Sequence, residues 1–121
     1  MQINTIIVRS QKDMRKILDY VHDRPFDLSL VSIDETHHFV LIPVRLRAKP
    51  NGKGEVNSEL KIYGAKGFNI EDHAKIEEGD ICKIELTPDD VRIIGSLPVN
   101  IFITATNPWV ELLVPENAFV A

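Results

Sequence analysis

HFVLIPVRLRAKPNGKGEVNSELKIYGAKGFNIEDHAKIEEGDICKIEL, residues 38–86, decides what kind of fold this chain adopts. From His38 to Ala48 one parity carries His38, Val40, Ile42, Val44, Leu46 and Ala48, the other Phe39, Leu41, Pro43, Arg45 and Arg47. That period of two predicts a strand with the first set facing a core. Pro43 cannot donate to a ladder and marks an edge, a bulge or a bend. Pro50-Asn51-Gly52-Lys53-Gly54 then supplies the positive φ angles of a tight hairpin, and Asn57 to Tyr63 forms its return strand with Leu60 and Ile62 inward. Gly64 to Gly67 breaks that strand, and Asn69 caps a short helix expected over Ile70 to Ile76. After Gly79, the alternation of Cys82, Ile84 and Leu86 with Lys83 and Glu85 predicts another strand and puts Cys82 in the core.

Upstream, Ile3 to Val8 is β-branched and reads as a strand. Ser10 and Asp13 form a capping pair for a helix whose apolar face is Met14, Ile17, Leu18 and Val21, and Pro25 stops it near Asp23. Leu28 to Ile33 reads as a second strand. Downstream, Pro88 sets a turn into Val91 to Ile94, and two separate strands follow, Val99 to Thr104 and Trp109 to Val114. Both are apolar on either parity, which predicts cover on two faces. The expected architecture is a single α+β domain over residues 1–121, predominantly antiparallel β, a small barrel or sandwich with one N-terminal amphipathic helix.

Hydrophobic content of 44% and the absence of any apolar run near 20 residues fit a globular chain without a membrane span. One cysteine excludes an internal disulfide, and with no signal-like start this predicts a cytoplasmic setting. The net charge of −4 is divided unevenly. Between residues 45 and 66, Arg45, Arg47, Lys49, Lys53, Lys61 and Lys66 outweigh Glu55 and Glu59, whereas residues 71–90 are strongly acidic.

No nucleophile elbow, phosphate-binding loop, dinucleotide fingerprint or paired-cysteine motif occurs, so the sequence assigns no catalytic residue, metal site or cofactor. Adjacent His37 and His38 would point to opposite faces of a strand, and His22 has no helical metal partner at i+4. Gly64-Ala65-Lys66-Gly67, read as a strand-to-helix junction, offers backbone N–H groups to an anion beside Lys66.

Two functions follow. In the first, a non-enzymatic binding module engages single-stranded nucleic acid or another polyanion through Arg45, Arg47, Lys49, Lys53, Lys61, Tyr63 and Lys66. The order of strand, basic hairpin, strand ending in Tyr63, short helix, Gly79-Asp80 turn and strand resembles the middle of an OB-fold, in its single-stranded DNA-binding form. In the second, the chain is a protein-interaction or assembly module that forms a homo-oligomer, or docks a partner, through Phe102, Trp109, Leu113 and Phe119.

Overall fold

The computed structural model describes residues 3–120, with the side chain of Ile3 outside the description. Strand β1 (Ile3–Val8) leads through a 3-10 turn into helix α1 (Arg15–Val21), then β2 (Phe26–Asp27), β3 (Ser32–Asp34), β4 (Phe39–Ala48), β5 (Gly54–Asp72), β6 (Glu78–Gly79), β7 (Lys83–Leu86), β8 (Asp90–Ile94) and β9 (Val99–Pro115). Seven strands form one antiparallel sheet in the order β3-β4-β5-β9-β8-β7, with β1 on the C-terminal half of β9. β2 and β6 form a separate two-stranded pair.

The sheet does not close, which corrects the expected barrel: β3 and β7 end the path and do not pair with each other. Two long bent strands take the place of closure. β5 shifts register with β9 between Tyr63 and Ala65 and again between Ala65 and Gly67, and β9 bends at Asn107, where φ is +45°. Such bulges turn a strand and increase its twist. The buried parity of β9 changes across the bend, from Val99, Ile101, Ile103 and Ala105 to Val110, Leu112 and Val114. Both halves of the sheet therefore line one core, made by Val40, Ile42, Val44 and Leu46 of β4, Leu60 and Ile62 of β5, Val91 and Ile93 of β8, and Ile84 of β7. Met14, Ile17 and Val21 add the apolar face of α1 to it.

Five further expectations are corrected. The segment read as a helix over Ile70 to Ile76 is strand as far as Asp72, with Phe68 and Ile70 opposite Ile103 and Ile101. Its glycines act as bulges and not as a stop, so the order that resembled an OB-fold lacks its helix. Val99 to Thr104 and Trp109 to Val114 are one strand, fully buried on a single face; the opposite residues Phe102, Trp109 and Leu113 are half-buried. Leu28 to Leu30 is a 3-10 turn, because the Asp27 carboxylate accepts from the Ser29 N–H at 2.9 Å and competes with extended backbone. Cys82 precedes β7 and is partly exposed; Ile81 occupies the core place expected for it. At the helix start, the Ser10 hydroxyl donates to the Asp13 carboxylate instead of accepting from the backbone N–H.

Ile62→Ala should cost about 2–5 kcal/mol in chemical denaturation, the transfer loss plus the cavity. Gly64 is at φ +81°, and a Cβ there would lie 2.6 Å from the Thr106 carbonyl oxygen, whereas a Cβ at Gly67 meets nothing within 4 Å. Gly64→Ala is therefore expected to lower stability by about 1–3 kcal/mol, and Gly67→Ala to leave it within about 1 kcal/mol of the parent.

Candidate functional site

The core-facing parity fixes the opposite face of the sheet as the open one. In the half formed by β1, β9, β5 and β4, cross-strand register lines up its residues in rows. Ile7, Glu111, Lys61 and Leu41 form one row, and Trp109, Tyr63 and Phe39 the next. Directly opposed side chains on one face touch, and the rings do so closely. Tyr63 and Trp109 stack at 5.0 Å between centroids and 6° between planes, while Phe39 lies 5.2 Å from Tyr63. Arg9, just past β1, places its guanidinium 4.9 Å from the Trp109 ring centroid, and the Lys61 ammonium stands 5.0 Å from that of Phe39. The far end continues to His37, 6.4 Å from Phe39.

The loop before β4 anchors that end. Asp34 accepts from the backbone N–H groups of Thr36 and His37, each at 3.0 Å, and its other oxygen lies 3.1 Å from His37 Nδ1. The His37 backbone and side chain hold the Asp34 carboxyl below the usual aspartate range. His38 is at φ +57°, in the turn and outside β4, so the opposed-face expectation for His37 and His38 does not apply.

The basic residues separate into groups. Lys61 and Tyr63 belong to the aromatic rows. Arg45 and Arg47 share the outer face of β4 but converge with Arg24, a residue the sequence reading did not single out. The Arg24 guanidinium donates to the Arg45 carbonyl oxygen at 2.9 Å and to Glu55 at 2.7 Å. Burial pushes its pKa below the ordinary arginine value, Glu55 opposes the fall, and Arg47 and Arg45 add to it. Lys49 and Lys53 lie exposed at the hairpin turn, and exposed Lys66 sits in the β5 bulge, a different setting from the strand-to-helix junction expected for it. Acids face several of these cations: Lys61 is opposite Glu111, Arg47 opposite Glu55, and Arg45 lies 3.8 Å from Glu78. A run that is basic in sequence is thus mixed in space. Next to it, a groove of about 740 Å³ is lined by Phe26, Leu30, Pro43, Arg45, Ile76 and Glu78 among others.

The residues expected at an interface are also dispersed. Trp109 and Leu113 share the outer face beside β1, where Leu113 is opposite Thr5. Phe102 lies on the other half of the sheet with the Arg92 guanidinium 5.8 Å from its ring. Phe119 packs on the hairpin turn, where a Cβ at Gly52 would meet its ring at 2.9 Å.

The edges of the sheet differ sharply. β4 is covered along its outer side: β3 pairs with Phe39 to Leu41, Pro43 has no N–H, Arg45 N–H donates to the Pro25 carbonyl at 3.3 Å, and the Arg47 carbonyl accepts from Phe119 N–H at 2.7 Å. On β7 the Gln11 amide both donates to the Ile84 carbonyl at 3.0 Å and accepts from Leu86 N–H at 2.7 Å. The C-terminal half of β5 carries Lys66 and Glu71. β1, with the sequence INTIIV, carries no charge, and among the described residues it has no cover and pairs with β9 alone.

No protein-family model, curated protein or solved structure matches the chain. Among the described residues no helix is long and apolar enough to cross a membrane.

Because the folded state lowers the Asp34 pKa, the contribution of this turn is present above the unfolded-state value and is lost as pH falls through the lower folded value. The backbone amides of Thr36 and His37 should shift together in an NMR titration, with a midpoint below the ordinary aspartate value. Asp34→Asn should remove that transition.

Proposed function

We propose that the chain is a non-enzymatic interaction module that assembles with a second copy of itself through the free edge of β1. The observation that carries this reading is the contrast between β1 and the covered outer sides of β4 and β7. An uncovered strand of uncharged, largely β-branched residues is a template for another strand, and proteins that avoid such pairing blunt their edges. Pairing β1 antiparallel to its own copy sets no charge against a like charge. Residues of equal parity then meet, so Thr5 and Ile7 of both copies stay on the outer face. Ile7 is 50% exposed, and Leu113 and Trp109 continue the apolar surface behind it. The resulting interface is isologous, as expected for a two-fold dimer.

Of the residues expected at an interface, Trp109 and Leu113 would lie beside the proposed one, on β9, and Phe102 and Phe119 lie away from it. A cytoplasmic setting is part of the proposal, supported by the unpaired Cys82.

A second reading, polyanion binding, is favoured by Arg9 and Lys61 flanking the aromatic row and by exposed Lys49, Lys53 and Lys66. The rings spend their faces on one another and on these two cations. Single-stranded nucleic acid would therefore be held chiefly through phosphates and not by base stacking, with a steep salt dependence. This reading draws nothing from OB-like order, whose helix is strand.

Light scattering at micromolar concentration is expected to give twice the 13.7 kDa chain mass. Ile7→Lys, which adds a charge to the edge and leaves the core intact, should return the chain mass with an unchanged circular dichroism spectrum. A parent that runs at the chain mass across that range removes the assembly reading. Binding of a labelled oligonucleotide and of inorganic polyphosphate at low salt, abolished by Arg9→Glu with Lys61→Glu, would favour the second reading instead.

A further inference from the structure

Outside the sheet face, the end of α1 meets the segment that enters β7, and here the sequence's lone cysteine acquires neighbours from distant parts of the chain. We infer that His22, Asp23 and Cys82 form a binding site for a thiophilic divalent cation of the zinc class. An imidazole nitrogen, a carboxylate oxygen and the Cys82 sulfur all lie within 4.8 Å of one another. His22 Nδ1 is 3.2 Å from Asp23 Oδ2. Two N or O ligands bound tetrahedrally at about 2.0–2.1 Å are separated by about 3.3 Å, so this pair already stands at ligand spacing. A sulfur bound at about 2.3 Å lies about 3.5 Å from either. Cys82 needs a movement of about 1.3 Å at most to complete the set, small for a partly exposed side chain free to adjust its rotamer.

The backbone fixes the three positions independently of any ion. His22 N–H closes the helix on the Leu18 carbonyl at 2.9 Å, and Asp23 N–H donates to the Ile81 carbonyl at 2.8 Å. Cys82 N–H donates to the Ile94 carbonyl at 2.8 Å. The segment carrying two ligands is thus bonded to the residue next to the third. Asp23 is at φ +62°, and this left-handed residue ends the helix immediately after His22. A search for ligands at helical spacing misses the site because its members are sequence neighbours plus one residue from another segment.

The donor set decides the cation. Thiolate with imidazole favours zinc, cobalt or copper over magnesium and calcium, which take oxygen shells. A groove of about 470 Å³, lined by Arg15, Leu18, Asp19, His22 and Cys82, opens onto the cluster. It leaves the fourth coordination position to water or an external ligand, the arrangement of three-ligand zinc sites. Binding releases a proton from the thiol, so affinity should weaken as pH falls. The contacts Asp34–His37 at 3.1 Å and Glu71–His73 at 3.6 Å have no sulfur and serve as internal controls.

The test titrates the reduced full chain with Zn²⁺ against a chromogenic chelator and with Co²⁺ by absorption. One equivalent should bind, and Co²⁺ should give a thiolate charge-transfer band that Cys82→Ser abolishes. Outer-shell changes alone cost metal sites about 10–100-fold, so Cys82→Ser, His22→Gln and Asp23→Asn should each weaken Zn²⁺ binding at least about tenfold. His37→Ala should leave it unchanged. In the unaltered chain Zn²⁺, and not Mg²⁺, should slow alkylation of Cys82 by iodoacetamide, a readout that needs no variant to fold. No Zn²⁺ binding at about 100-fold excess, binding without the charge-transfer band, or alkylation indifferent to Zn²⁺ would overturn the assignment.

Discussion

The fold depends on β5 and β9 bending together. Each is long enough to belong to two half-sheets, and the bend works only because irregularities on the two strands compensate. β5 inserts residues at Gly64 and Lys66, while β9 inserts the Thr106 to Pro108 segment. The contact between them leaves no room for a side chain, since a Cβ on Gly64 would press on the Thr106 carbonyl. Without the parity change in β9, its two halves would present apolar residues to opposite sides of the sheet, and one of them would face water. Because the parity changes, β4 and β1 on one half and β8 and β7 on the other enclose a common core.

An open sheet has edges, and the chain uses unrelated devices to close most of them: a short strand and a proline on β4, the C-terminal segment laid across Arg47 and Lys49, a glutamine amide on β7. A glutamine that satisfies one carbonyl and one N–H of β7 mimics a strand partner without offering a surface for another. Against this pattern β1 stands apart. The neighbouring face reinforces the distinction, since in the row behind Ile7 the Lys61 cation stands opposite the Glu111 carboxylate. Balanced charge and half-buried rings resist association less than a strongly basic track would.

The alternation in β4 and in Leu60 and Ile62 was legible because each of those strands has one buried and one open face, the condition under which a period of two is strongest. The same rule misled where apolar residues occupy both parities. In β9, Phe102, Trp109 and Leu113 suggested a strand covered twice, yet Trp109 lies in a cross-strand row and Phe102 under an arginine. Glycine was the other source of error: Gly64 and Gly67 are equally consistent with a break and a bulge, and only the distant pairing of Phe68 and Ile70 with β9 selects the bulge. The shared outward parity of Lys61 and Tyr63 was legible, and it puts both on the face of the aromatic rows. Trp109 was singled out only as an apolar interface candidate, and Arg9 and Arg24 not at all, because each reaches its place beside a ring or a carboxylate through a contact remote in sequence. Cys82 was misread for a related reason: the alternation that begins at Ile84 does not extend back to it, and Ile81 fills the core instead.

The aromatic row bears on assembly in a way its composition alone does not convey. Tyr63 stacked on Trp109 at 5.0 Å and the tilted Phe39 at 5.2 Å from Tyr63, with a cation at either end, leave little face for a ligand but tie β4, β5 and β9 together on the side away from the core. β9 is in turn the strand on which β1 lies. An added strand is costly to bind when the edge that receives it must first be ordered, because each residue fixed from a disordered state gives up conformational entropy of about 1–2 kcal/mol. Here the receiving edge is held in place by the ladder to β9 and by Ile6 and Val8 packed on the core. When the incoming strand is the β1 of a second folded copy, it too is already extended. Two preformed edges then associate with little ordering on either side, which favours an identical copy over a disordered segment as the occupant.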